Sequence, residues 1–208
     1  MLDAPHARNM KTWCLATRNQ GKLREFRTLL APFEVEVLGL SELSLAGEVE
    51  ETGASFGENA GLKAAFFSRE TDLPVLGDDS GLEVFALDGR PGIHSARYAG
   101  PRASDAERIR KLLRELERAE GERDARFICA LALAQQGRIV AEAEGTCAGR
   151  ILRAPRGDRG FGYDPVFYLA DLGKTFAELN EQEKNLRSHR GNAVRKLISG
   201  LFVPSELR

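Results

Sequence analysis

The sequence predicts an α/β protein built around a mixed, twisted sheet with flanking helices. Short segments of strand character alternate with amphipathic helical stretches along most of the chain. Residues 127–134 and 139–146 form a pair of longer apolar runs across Gln136-Gly137-Arg138, the pattern of an antiparallel hairpin. No repeat or linker divides the 208 residues, so a single domain is expected over residues 11–208 after a flexible leader, residues 1–10.

In chain order, residues 13–17 read as a first strand, followed by the polar loop Arg18-Asn19-Gln20-Gly21. A helix with Leu23, Phe26 and Leu30 on one face comes next, then a strand over 34–40. Residues 55–69 predict a helix whose apolar face is Phe56, Ala60, Ala64 and Phe67. Asn59 and Lys63, spaced i,i+4, share its neighbouring polar edge. Residues 74–76 and 82–87 read as short strands, the second ending at the turn Asp88-Gly89. Ser104 and Glu107 make a capping box for a helix buried through Ile109, Leu112, Leu113 and Leu116. After the hairpin, residues 149–164 are rich in Gly and Arg and read as a mobile or ligand-binding loop. Ser188 caps a last helix with Val194, Leu197, Ile198 and Leu201 at helical spacing.

Composition narrows the functional classes. Thirty basic and 31 acidic residues leave a net charge of −1, without the basic excess of a nucleic-acid polymer binder. Small anionic ligands need only a few placed cations. No apolar run approaches the roughly 20 residues of a membrane helix. The three cysteines lack metal-type spacing, and Cys129 lies in an apolar run, so a reducing, cytoplasmic compartment is expected.

The most informative stretch is Gly77-Asp78-Asp79-Ser80-Gly81. Its glycines read as turn residues, and adjacent side chains leaving a strand point to opposite faces, giving the two carboxylates different work. Carboxylates this close repel unless a cation intervenes, and Mg²⁺ suits hard oxygen ligands. A polar turn capped by Asp and Ser explains the pentapeptide alone equally well. Thr17-Arg18-Asn19-Gln20-Gly21-Lys22 runs from strand end to helix start, where backbone N–H groups, a hydroxyl, an amide and a Lys make a phosphate cradle. It lacks Walker A spacing, and a solvated turn also explains it. Glu50-Glu51-Thr52-Gly53 offers carboxylates to join the Asp pair, or a charged loop. The segment from Arg90 to Tyr98 contains a Pro-Gly turn, with Arg97 able to reach an anion. Gly160-Phe161-Gly162-Tyr163-Asp164-Pro165 combines close backbone approach, a stacking face and an acceptor. Lys184 with Ser188-His189-Arg190 sets donors around a helix N-terminus.

Taken together and in this order, these segments resemble the inosine triphosphate pyrophosphatase family, the non-standard purine NTP pyrophosphatases. The likeness runs from about Trp13 to Leu201 and includes Gly57-Glu58-Asn59-Ala60-x2-Lys63-Ala64 and Pro91-Gly92-Ile93-His94-Ser95-Ala96-Arg97-Tyr98. It implies an elongated two-lobed α/β fold around a long twisted mixed sheet, with the active site in the cleft between lobes, and a homodimer. It also implies Mg²⁺-dependent hydrolysis of dITP, ITP and XTP to monophosphate and pyrophosphate, by water attack at the α-phosphorus. By motif, Thr17, Asn19 and Lys22 would hold the triphosphate, with Arg18, Gln20 and Gly21 completing the substrate-binding loop and Lys63 facing the phosphates. Glu50 and Asp79 would hold Mg²⁺, Asp79 also accepting the proton. Ser80, Phe161, Gly162, Tyr163, Asp164, Lys184, His189 and Arg190 would surround the nucleoside. Arg18 departs from the family, where a small residue often stands, and would make the loop more cationic.

That chemistry suits the residues. Lys22 and Lys63 supply positive charge against the triphosphate. Donors from Lys184, His189 and Arg190 would accept the 6-keto group of inosine and oppose the 6-amino group of adenosine. Two alternatives stand beside this reading: a Maf-like pyrophosphatase for modified pyrimidine nucleotides, and a non-catalytic nucleotide-binding module.

Overall fold

The computed structural model describes residues 11–201, so the leader expected over residues 1–10 lies outside the described residues. A seven-stranded mixed sheet runs in the order β2-β1-β3-β4-β5-β6-β7. Strands β1 (Lys11–Leu15) and β2 (Val35–Gly39) are parallel, as are β1 and β3 (Val75–Val84). All later pairings are antiparallel, through β4 (Asp124–Gln135), β5 (Arg138–Ile151), β6 (Phe167–Leu169) and β7 (Lys174–Thr175).

The expected hairpin is β4–β5, longer than its apolar cores indicate. Gln136 and Gly137 both take positive φ, 50° and 78°, the geometry of a two-residue turn matched to strand twist. Alternation along β4 divides the core. Cys129, Leu131 and Leu133 face helices α1 (Gln20–Leu30) and α5 (His189–Leu201), whereas Ile128, Ala130, Ala132 and Ala134 face α2 (Phe56–Phe67). A further apolar cluster joins the distal ends of β3, β4 and β5 to α3 (Asp105–Leu116) and the segment 163–179.

One expectation is corrected here. The Asp pair does not sit in a turn between two short strands, because residues 75–84 form one continuous strand paired with β4 along its length. Gly77 and Gly81 are strand residues kept bare by close approach. A Cβ on Gly77 would lie 2.1 Å from the Ala60 carbonyl oxygen, and one on Gly81 2.6 Å from Ser95 Oγ. Gly77 thus lets α2 lie directly against the strand carrying the carboxylates.

The caps read from sequence are present: Ser104 and Ser188 accept from the Glu107 and Gly191 backbone N–H groups. Ser55, expected inside its helix, also caps it and accepts from Glu58 N. Three elements escaped the sequence reading: β6, β7 and α4 (Glu181–Arg187), the last opened by an Asn180–Glu183 capping box.

Candidate active site

The cradle loop forms the start of α1. Asn19 caps the helix, its Oδ1 accepting from Lys22 N at 3.1 Å, while Thr17 Oγ1 accepts from Asn19 N at 3.2 Å. Gly21 leaves room for an aromatic ring, since its missing Cβ would lie 3.0 Å from the Phe161 ring. Gln20 is exposed. Arg18 is also exposed and donates to the Gly47 carbonyl at 2.9 Å. Its guanidinium thereby ties the cradle to the loop that leads into Glu50 and Glu51.

Register places the two aspartates on opposite faces of β3. Asp78, opposite Leu131, faces α1 and α5, where Lys22 Nζ lies 2.5 Å from its Oδ2 and Cys129 Sγ donates to its Oδ1 at 3.2 Å. Ser80 Oγ also donates to Asp78. Burial would raise the Asp78 pKa, but Lys22, Arg190 and Lys63 outweigh it and hold the carboxyl well below the usual range. Asp79, opposite Ala130, faces α2 and accepts from Asn59 Nδ2 at 3.1 Å. Lys63 Nζ lies 3.7 Å from Asp79 and 2.8 Å from Glu51 Oε1, and Arg97 holds the other Glu51 oxygen at 2.9 Å. Burial lifts Asp79 above an ordinary carboxyl, Glu51 and Asp78 adding to the rise and Lys63 and Lys22 opposing it.

The i,i+4 edge of α2 therefore meets Asp79 through both Asn59 and Lys63. Glu50, expected as the metal partner, is exposed, and Glu51 is the acidic residue on the cleft wall. Among the described residues, no group of three or more His, Cys, Asp and Glu side chains gathers as a metal cage. Mg²⁺ does not require one: it takes one or two carboxylates and fills its shell with water and phosphate oxygens. Asp79 and Glu51, hard donors bridged by Lys63, fit that requirement.

The other end of the cleft is built on Phe161. Lys184 Nζ and Arg190 Cζ each lie 5.0 Å from the centre of its ring. Both cations are paired beneath it: Lys184 with Asp164 at 2.7 Å, and Arg190 with Glu25 at 3.0 Å. Asp164 Oδ2 also accepts from Phe161 N at 2.9 Å. His189 is buried and stacked on Phe127, with ring centres 4.7 Å apart. Burial, then Arg190 and Lys184, push its pKa well below 6.5, so it is neutral. Tyr163 is buried, its hydroxyl donating to the Ser95 carbonyl at 2.9 Å.

A cleft of ≈ 360 Å³ is lined by Asn19, Lys22, Glu51, Asp79, Phe161 and Arg190 among others, with Ser80 on its wall and Lys63 behind Asp79 and Glu51. An adjoining hollow of ≈ 270 Å³ shares Gly21, Arg24 and Phe161 with it and reaches Glu25 and Lys184. Glu25, Asp105 and Arg108 belong to these walls without having been singled out from sequence. Glu25 and Asp105 read as ordinary helix charges, because their partners Arg190 and Gly162 are remote in the chain.

The Ham1 family model matches residues 13–200. The chain is 57% identical over 189 residues to a dITP/XTP pyrophosphatase of Geobacillus kaustophilus, covering 90% of this chain and 93% of that protein. It is 53% identical over 191 residues to one of Gloeobacter violaceus, covering 92% and 94%. The solved structure of a HAM1 protein from Coxiella burnetii superposes with a TM-score of 0.82 at 44% identity, covering 92% of this chain and 98% of that one. Sequence motifs, sheet order and end-to-end similarity lead to one assignment: the chain belongs to the Ham1 family.

Proposed function

We propose that this protein is a Mg²⁺-dependent nucleoside-triphosphate pyrophosphatase. On this reading it converts deaminated purine nucleotides, dITP, ITP and XTP, to monophosphate and pyrophosphate. One observation carries the reading: a single cleft is lined by Lys22, Asp79 and Glu51, the last two joined by Lys63, and by the Phe161 platform with Arg190 over its ring, Lys184 reaching the same ring from the adjoining hollow. The first group suits a triphosphate and the second a nucleobase. The names of the relatives, dITP/XTP pyrophosphatases, agree with it.

Asp79 and Glu51 would hold Mg²⁺, which supplies charge neutralisation on the triphosphate. The helix α1 N-terminus and Lys22 bind phosphate oxygens, and Lys63 opposes the charge that develops as pyrophosphate leaves. Asp79 orients the attacking water and accepts its proton, a role that its buried position favours. Asn59 fixes the Asp79 carboxylate so that one oxygen remains directed at the cleft. Phe161 stacks on the base, and Lys184 and Arg190 present donors to a 6-keto oxygen. We read the apolar clusters on either side of the cleft as two lobes, and propose a cytoplasmic homodimer. No helix among the described residues is long and apolar enough to cross a membrane.

Product analysis with Mg²⁺ and dITP, XTP, dATP, dGTP and dTTP tests the reading. Monophosphate plus pyrophosphate from dITP and XTP, with the standard nucleotides spared, is the expected result. Diphosphate plus orthophosphate would move attack to the γ-phosphorus and overturn the mechanism. No turnover of any of these, with turnover of a modified pyrimidine triphosphate assayed next, would favour the Maf-like alternative.

A further inference from the structure

Phe161 is useful as a platform only if its loop is held still, and the structure contains a strut that does so from a distant helix. The amide of Phe161 is held by Asp164, and the next amide, Gly162 N, donates to Asp105 Oδ2 at 2.6 Å. Gly162 has φ +64°, and nothing lies within 4 Å of its missing Cβ. The glycine is there for its left-handed backbone, which turns this N–H toward Asp105. Asp105 is the first residue of α3, 57 positions away in the chain.

The carboxylate is itself braced. Its Oδ1 is paired with Arg108, whose Nη1 also donates to the carbonyls of Ala96 and Ala103 at 2.8 and 2.7 Å. Tyr163, next after Gly162, is tied to the same region through Ser95. Three consecutive residues of the platform loop are thus fixed, two of them by the segment 95–108.

We propose that Asp105 is a positioning residue for base recognition, acting through the Gly162 amide to hold Phe161 against the bound purine. This inference rests on the nucleotide-cleft reading above. An acidic residue in a helix first turn also has an ordinary role, favouring the helix dipole. That role alters stability alone and leaves nucleotide affinity in place.

The test uses the full chain with Asp105→Ala and with Asp105→Asn, which keeps the shape and removes the charge. For Asp105→Ala, KM for dITP is expected to rise about tenfold, the scale of one charge-assisted hydrogen bond, with kcat within about threefold of wild type. Pyrophosphate, which has no base, is expected to bind both proteins equally by calorimetry. Hydrogen exchange of a peptide spanning residues 160–164 is expected to quicken about tenfold in free Asp105→Ala. Asp105→Asn should recover part of both effects, since its side-chain oxygen still accepts from Gly162.

The proposal requires both shifts. An unchanged KM, or unchanged exchange in the loop, overturns it, as does an equal loss of pyrophosphate binding. Failure of the wild-type protein to hydrolyse dITP would overturn the pyrophosphatase reading separately. Exchange in the free protein then decides the strut by itself.

Discussion

Asp78 and Asp79 are adjacent on β3, yet their carboxylates serve opposite faces of the sheet. Asp78 meets Lys22 at 2.5 Å on the α1 side, and Asp79 accepts from Asn59 at 3.1 Å on the α2 side. The strand pleat separates two jobs that the bare dipeptide leaves merged. Asp78 fixes the cradle lysine and takes no part in the cleft lining, while Asp79 opens onto the cleft. Two like charges tolerate this proximity because Lys22, Lys63 and Arg190 compensate them from both faces.

Asp79→Asn is expected to lower kcat by about 10²-fold or more at saturating Mg²⁺, the scale of a positioned acid–base group. Steady-state release of pyrophosphate from dITP measures it. Near-normal turnover would remove Asp79 from the role assigned to it.

The two neighbouring glutamates should behave differently. Glu51 lies on the cleft wall between Lys63 and Arg97, and Glu50 is exposed. Glu51→Gln is expected to raise the Mg²⁺ concentration for half-maximal rate by about tenfold or more, the scale of a lost metal-site partner. Glu50→Gln is expected to leave it in place. A Mg²⁺ titration of both variants checks this, and the reverse order would return the metal to Glu50.

Gly77→Ala forces a methyl group against the Ala60 carbonyl, since its Cβ would stand 2.1 Å from that oxygen. Overpacking of this kind costs about 1–3 kcal/mol, to be read from the urea midpoint. Because α2 carries Asn59 and Lys63, activity should fall in the molecules that remain folded. A variant as stable and active as wild type would show that α2 does not need the close approach.

His189 gives stability a pH dependence of defined sign. Burial holds its folded pKa well below the unfolded value near 6.5, so the unfolded chain binds the proton first as pH falls. Its contribution is present above about pH 6.5 and is lost below it, by at most about 1.4 kcal/mol per pH unit. Between pH 7.5 and 5.5, wild type should therefore lose roughly 1 kcal/mol more than His189→Gln, measured by chemical denaturation. Equal losses would mean that His189 takes up its proton without opening the fold.

Sequence by itself determined the periodic parts of this protein. Apolar runs marked the β4–β5 hairpin, the stripe Ile109, Leu112, Leu113 and Leu116 marked α3, although Leu113 is only partly buried, and Ser104 and Ser188 marked two helix starts. Such signals are legible because they arise from neighbours a few residues apart. The i,i+4 pair Asn59 and Lys63 was visible in the same way, although its target was not. Tertiary structure alone decided that the Asp pair lies inside a strand, because Gly77 looks like a turn residue until Ala60 is brought against it. It also decided that Glu51 and not Glu50 faces the cleft, and that Arg18 turns toward Gly47. Glu25 with Arg190, and Asp105 with the Gly162 amide, are contacts across 165 and 57 residues. No local pattern encodes them. They exist because packing α1 against α5, and α3 against the platform loop, buries polar groups that must then find partners in whatever the fold sets opposite.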